Sequence, residues 1–534
     1  MNPSTEQARA LVEGLLRTGI DTVVVAPGSR NGPLSIALAQ AARAGKIRLH
    51  VRLDERSASF LALGMAKRLG HPTAVVCTSG TAAAHFHAAA YEATEAGVPL
   101  LLLTADRPPR VRTKGANQAI DQREMYAAAV VKTIDCALAE AQPATHWRSV
   151  ISDAVAAARG NASTAPGAVH INIPFAEPLV PGDGDSSWAT ALPDVVHPKD
   201  APEVARAAWG KVWPPGGETP KGVIITSDPT HAPDVVAFAD ALQWPVLAEP
   251  GSGARTERTA IQRYLDILED STLHPDVVVT VGRFALSRQV AAFVRKAGRH
   301  VTVGRRDLDP LMPADEQIAR LPDASKLKPA DADWLAAWKA ADERARMHAL
   351  SRQQLLVATA LEAAEAGDLV WYGPSSVIRY AERAAPLFDD IVSSFMNRGT
   401  NGIDGVVSSA IGAAVAHQHV KHDSHAYAIV GDLTMLHDIN GLLLPPGSAT
   451  PNLTFVVIDS NGGRIFETLE QGALEYADIF DTVYGTPHDR DLVAILSAYG
   501  VSTTRVKTAV ELRATLDALR EQSGIGVIVV DDQE

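Results

Sequence analysis

Short apolar runs of strand length, each stopping at a Gly, Pro, Ser or Asp turn and passing into helical spacing, recur along this chain. That alternation leaves few folds open, because runs without polar interruption suit strands buried on both faces of a parallel sheet with helices over it. The pattern also repeats. DTVVVAPGSRNGPL near the N-terminus parallels DLVWYGPSSVIRYA, TAVVCTSGTAAAH parallels AYAIVGDLTMLHD, and VPLLLLTADRPP parallels LTFVVIDSNGG. Three matches in the same order imply an internally duplicated α/β domain. At 534 residues the chain suggests about three domains. The boundaries read as an α/β domain over 1–181, a Pro/Gly-rich linker over 182–220, a central α/β domain over 221–333 (opening at GVIIT, with PDVVVTVG and RHVTVG), and the second copy over 334–534. One long amphipathic helix, WLAAWKAADERARMHALSRQQLLVATALEAA, is expected to lead that last domain, after a loose segment from DLDPLMP onward.

Hydrophobic residues make up 46% and charged residues 21%, a globular balance. The net charge of −13 disfavours binding nucleic acid through its phosphates. Two cysteines, Cys77 and Cys136, with no CxxC or zinc spacing, suit a reducing cytosol. MNPSTEQARALVEGLLRTGI has helical spacing and lacks the basic and apolar regions of a signal peptide. VPLLLLTA is far too short to span a bilayer. A soluble, cytoplasmic protein is expected.

The run Ala426–Val430 ends at Gly431-Asp432, and a helical pattern follows at once. A carboxylate there is either a helix cap or part of a ligand site at the carboxyl ends of the strands. The next apolar strand ends in DSNGGRIF, so oxygen ligands at two neighbouring strand ends would suit Mg²⁺ and a diphosphate. An ordinary capped helix and turn would look the same. His85 and His87, and the group in HQHVKHDSH, lack credible ligand spacing and read as packed or solvated histidines.

A Gly-Asp followed at this range by an Asn-Gly turn resembles the thiamine-diphosphate motif of decarboxylase- and transketolase-like enzymes. With APGSRNGPL, LDERSASFLALGMAK, TSGTAAA, LTADRPP, GANQAI, NRGTNGIDG and GDLTMLHD, the outer blocks resemble the 2-succinyl-5-enolpyruvyl-6-hydroxy-3-cyclohexene-1-carboxylate synthase family of menaquinone biosynthesis. The middle block resembles it weakly, mostly through VGRFALSR. The resemblance implies a thiamine-diphosphate-binding fold, with a pyrimidine domain (1–181) and a diphosphate domain (334–534) flanking the central one. It implies a transferase using thiamine diphosphate and Mg²⁺, with Mn²⁺ possible. The reaction would be decarboxylation of 2-oxoglutarate and conjugate addition of the resulting succinyl-semialdehyde carbanion to isochorismate. A homodimer or homotetramer with active sites at the subunit interface is expected.

Glu55 would contact N1′ of the aminopyrimidine and promote formation of the ylid, with burial holding its pKa up. Read from residues alone, Asp54 and Glu55 could simply start a helix. Ile403 would wedge the cofactor into its bent form, and Pro27, Gly431, Leu433, Thr434 and Ile465 would line it. Asp432 would bind the metal. The second side-chain ligand stays open between Ser460 and Asn461, with Asp459 a further candidate and the Gly462 carbonyl as backbone ligand. Substrates with several carboxylates call for guanidinium forks: Arg30 beside Ser29, Arg107, Arg288, Arg379 and Arg398. Asn117, Gln118 and Ser375 would hydrogen-bond substrate, and Phe466 and Leu469 would form an apolar wall with Ile465. Ser287 stands where the family often has a second basic residue.

Overall fold

Three parallel sheets organise the chain. The computed structural model describes all residues except 1, 113–114, 162–163, 183–185, 196–204, 215–217, 271, 285, 305–311, 324, 326 and 533–534. The linker expected over 182–220 and the loose segment before residue 334 lie partly outside the described residues.

The first sheet contains β1 (Thr22–Val25), β2 (Arg48–Val51), β3 (Thr73–Cys77), β4 (Leu100–Asp106), β5 (Lys132–Asp135) and β6 (Ala168–Pro174), in the order β2-β1-β3-β4-β6-β5. The second contains β7 (Gly222–Thr226), β8 (Val246–Ala248), β9 (Val277–Val281), β10 (Arg299–Val303) and β11 (Glu316–Ile318), in the order β11-β10-β9-β7-β8. The third contains β12 (Leu369–Tyr372), β13 (Ser393–Met396), β14 (Ala426–Gly431), β15 (Leu453–Asp459), β16 (Ser502–Val506) and β17 (Ile525–Asp531), in the order β13-β12-β14-β15-β17-β16. Outer sheets one and three share one strand permutation. The three segment pairs matched in sequence occupy equivalent places: β1 with β12, β3 with β14, and β4 with β15. The duplication is therefore structural.

The chain forms two compact units. The first comprises residues 1–202, 397–420 and 436–450 and holds the first sheet. In it, α1 (Glu55–Leu69) and α2 (His87–Ala96) follow β2 and β3, and α3 (Val406–Val420) packs along α1. These two helices touch backbone to backbone: a Cβ at Gly64 would lie 2.0 Å from the Ser409 carbonyl oxygen, and one at Gly412 2.1 Å from that of Leu61. The second unit, residues 203–396, 421–435 and 451–534, holds the other two sheets. Arg255, almost fully buried, donates to the carbonyls of Ala248, Gln262 and Ala385 there, and the Tyr264 hydroxyl donates to Glu382 at 2.7 Å.

The single long helix expected from Trp334 onward is two helices, Ala332–Arg346 and Arg352–Leu361. Ser351 accepts from the Gln354 N–H at 3.2 Å while the Gln354 side chain accepts from the Ser351 N–H at 3.1 Å. This capping box starts a new helix inside a pattern that otherwise keeps helical spacing.

Candidate active site

The carboxyl edge of the first sheet gathers residues scattered over a hundred positions. After β1 the turn presents Pro27 and Ser29 exposed, while Arg30 turns inward and is 5% exposed. The Arg30 N–H donates to Thr78 Oγ1, which follows β3, and its guanidinium donates to the Phe175 carbonyl at 3.0 Å. Its Nε is buried with no partner, as is Nε of Arg107 just after β4. The exposed segment carrying Asn117 and Gln118 is stitched to the same edge. Ser79 Oγ donates to the Gln118 carbonyl at 2.9 Å, and Gln118 Nε2 donates to the Ser79 carbonyl at 3.1 Å. Gln118 has φ of 55°, a left-handed conformation that costs energy away from glycine. Behind it, Gln122 is fully buried and accepts from the Gly80 N–H.

Glu55 is the first residue of α1 and is half-buried. Asp54 caps that helix by accepting from the N–H groups of Arg56 and Ser57. Residues 437–440 fix the same turn. Asn440 donates to Asp54 at 3.0 Å, Arg56 donates to the His437 carbonyl at 2.6 Å, and Asp438 accepts from Ser57. Burial pushes the Asp438 carboxyl up to about 6, against the pull of its Ser408 and Arg56 contacts. Arg398 and Ile403, both half-buried, sit on the loop 397–405 of this unit.

In the second unit β14 and β15 are neighbours; Asp432 directly follows β14, and β15 ends at Asp459. Both side chains are buried. Asp432 accepts from the N–H groups of Leu433 and Gly462, the latter at 2.8 Å. Burial raises its pKa, and the neighbouring Asp459 charge adds to the rise. His488 Nε2 lies 3.4 Å from Asp432 and 3.7 Å from Asp459. The three side chains offer ligand atoms within 4.8 Å of one another, and Asp459 Oδ2 and His488 Nε2 are buried without hydrogen-bond partners. Asp459 Oδ2 pairs with the Arg505 guanidinium at 3.6 Å. Two buried carboxylates at one point still suit a hard divalent cation; the imidazole is a softer donor. The residues present fit Mg²⁺.

Of the ligands expected around Asp432, Asn461 points elsewhere. Its amide oxygen accepts from the N–H groups of His488 and Asp489 and its NH₂ donates to Asp489, so it holds the 486–490 loop. Ser460 Oγ donates to the Gly462 carbonyl at 3.3 Å. Gly431, Leu433 and Thr434 lie where β14 turns into the helix Asp432–His437. Ser375 follows β12, the strand beside β14, in a positive-φ conformation, and Arg379 is exposed one turn further on, donating to the Ser375 carbonyl. Ile465 and Phe466 are half-buried and Leu469 is exposed, in a run of short helical turns. Arg288 stands apart, exposed at the start of the helix Arg288–Val294 beyond β9. Ser287 caps that helix by accepting from the Gln289 N–H, so the residue in the place of a second base has a structural task. Sequence reasoning missed His488; nothing local to TPHD marks it, and tertiary contacts bring it in, its N–H donating to the Asn461 amide oxygen and its ring lying against Asp432 and Asp459.

By its matches to known proteins the chain is a thiamine-diphosphate-dependent enzyme, a transferase of the carboligase type. The family description of the thiamine pyrophosphate enzyme N-terminal TPP-binding domain matches residues 5–125, and that of the C-terminal TPP-binding domain matches residues 390–530. The chain belongs to the 2-succinyl-5-enolpyruvyl-6-hydroxy-3-cyclohexene-1-carboxylate synthase family. It is 41% identical to the synthase of Saccharopolyspora erythraea over 551 residues, spanning 99% of this chain and 96% of that one. It is 41% identical to that of Thermobifida fusca over 550 residues, spanning 97% and 95%. The fold is also that of benzoylformate decarboxylase from Polynucleobacter necessarius, with a TM-score of 0.69 at 16% identity over 100% of this chain and 99% of that one. Among the described residues no helix is long and apolar enough to cross a membrane.

Proposed function

We propose that the chain decarboxylates 2-oxoglutarate and adds the resulting four-carbon acyl unit to isochorismate, using thiamine diphosphate and Mg²⁺, with Mn²⁺ able to substitute. The observation that supports the reading is the buried pair Asp432 and Asp459 at adjacent strand ends, whose ligand atoms lie with that of His488 within 4.8 Å of one another, with the Arg505 guanidinium 3.6 Å from Asp459. When bound, thiamine diphosphate supplies the electron sink that decarboxylation and carboligation require. Asp432 and Asp459 would hold the metal through their oxygens, with the Gly462 carbonyl as backbone ligand. Glu55 Oε would hold the proton shared with the aminopyrimidine N1′, and Ile403 would pack against the cofactor. Arg30 and Arg107, each with a buried unpaired Nε, receive substrate carboxylates together with Arg379, Arg398 and Arg288. Asn117, Gln118, Ser29 and Ser375 hydrogen-bond the polar ends, and Phe466 and Leu469 exclude water. The domains divide at 1–181, 221–333 and 334–534, and the protein works in the cytoplasm as a homodimer or homotetramer with active sites between subunits. The exposed Leu474, Tyr476, Ile479 and Val483, clustered in one segment, support a subunit interface.

The test is Glu55→Gln, compared with wild type for cofactor binding and turnover. Cofactor should bind while turnover falls by about 100-fold or more. Normal turnover in this variant would sink the mechanism.

A further inference from the structure

Glu92, on α2, is a carboxylate that the proposed chemistry does not use. It is 1% exposed. One oxygen accepts from Lys67 Nζ at 2.9 Å and from the Gly399 N–H at 3.0 Å; the other accepts from the Thr400 N–H at 2.8 Å and the Thr400 hydroxyl at 3.1 Å. Lys67 is itself buried, in the last turn of α1. Burial pushes the Glu92 carboxyl up, but Lys67 and the two backbone N–H groups overcome this and hold it below the usual range. A buried carboxylate with four donors is expensive to assemble and is worth most where it fixes something.

What it fixes is the middle of the loop 397–405. The loop's ends have their own anchors: Asn397 Nδ2 donates to Ser409 at 3.1 Å, and Gly405 lies against the Phe60 ring. Between them the backbone passes through Asn401 at φ of 61°, in the left-handed region that asparagine tolerates. Arg398 immediately precedes the gripped N–H groups, and Ile403 follows them by three residues.

We infer that Glu92, paired with Lys67, is a positioning residue for the carboligation site: by gripping Gly399 and Thr400 it sets Arg398 toward a substrate carboxylate and Ile403 toward the cofactor. The inference rests on the reading of those two residues given above. It assigns neither Glu92 nor Lys67 any contact with substrate.

The experiment uses the full-length enzyme saturated with thiamine diphosphate and Mg²⁺. Glu92→Gln with Lys67→Met replaces the ion pair by neutral side chains of similar shape, so no buried charge is stranded. Arg398→Met is measured beside it. Hydrogen exchange over 397–405 reports the grip, and steady-state kinetics report its consequence. The expected result is faster exchange over 397–405, unchanged protection in β4 and β6, and KM for isochorismate raised about tenfold, with kcat changed less. Arg398→Met should raise KM at least as far while leaving exchange unchanged. If Arg398→Met raises KM and the double variant, folded, keeps wild-type KM and kcat, the inference is overturned alone. If Arg398→Met leaves KM unchanged, the substrate role of Arg398 falls, and the positioning claim falls with it for that stated reason. Unchanged exchange over 397–405 in the double variant would also overturn it.

Discussion

Buried histidines make the first sheet sensitive to acid. His170, on β6 and 0% exposed, bonds Thr104 Oγ1 through Nε2 at 2.8 Å, and burial lowers its pKa from 6.5 to about 4. His50, on β2, is lowered to about 4 by burial and by the nearby Arg52, Arg48 and His419. A histidine whose folded pKa lies below its unfolded one stays neutral in the fold and binds a proton only on unfolding. Its stabilisation is therefore complete above the unfolded value and is lost as pH falls toward the folded value. From pH 7.5 to pH 5, each of these two residues withdraws about 2 kcal/mol. Asp438, raised to about 6 by burial, has the opposite sign: the folded state takes up its proton first and recovers about 1 kcal/mol over the same span. Together these three groups contribute a loss of about 3 kcal/mol. Hydrogen-exchange protection of β4 and β6 amides, corrected for the intrinsic rate, reads that unit's own opening. His170→Gln removes one titrating ring, so the difference between pH 7.5 and pH 5 should shrink by about 2 kcal/mol, whatever the variant does to absolute stability. Equal protection at the two pH values in wild type, or an unchanged difference in His170→Gln, would refute the reasoning.

Two further substitutions probe the fold and the metal site. Gly405→Ala would place a Cβ 1.9 Å from Cγ of Phe60 at a φ of 65°, so left-handed strain and overpacking together should cost about 3 kcal/mol, read as a lowered thermal midpoint. Asp459→Asn should raise the Mg²⁺ concentration for half-maximal activity by about 100-fold, while Asn461→Ala should act through the 486–490 loop and raise it far less. An unchanged Mg²⁺ requirement in Asp459→Asn would return the ligand role to Ser460 or Asn461.

The central strands were legible for a physical reason. β1, β3, β4, β12, β14 and β15 are covered on both faces, so they read as unbroken apolar runs, and their matched order exposed the duplication. The edge strands were not. RLHV, KTID, SSFM and STTRV form β2, β5, β13 and β16, all at sheet edges, where partial exposure admits polar residues and erases the signal. Among site residues, Asp432 was visible because a charge ending an apolar run is anomalous. Glu92 was invisible because a glutamate in HAAAYEATEA looks like any helix-surface acid until α1 and the 397–405 loop close over it. His488 likewise gains its place through tertiary contacts with Asn461, Asp432 and Asp459.

The most direct test of the proposed function is CO₂ release from 2-oxoglutarate in the presence of thiamine diphosphate and Mg²⁺, with and without isochorismate, while following isochorismate by its absorbance. The account predicts rapid release only when isochorismate is present, with one isochorismate consumed for each CO₂. Equally rapid release without isochorismate, or no release in either case, would contradict it.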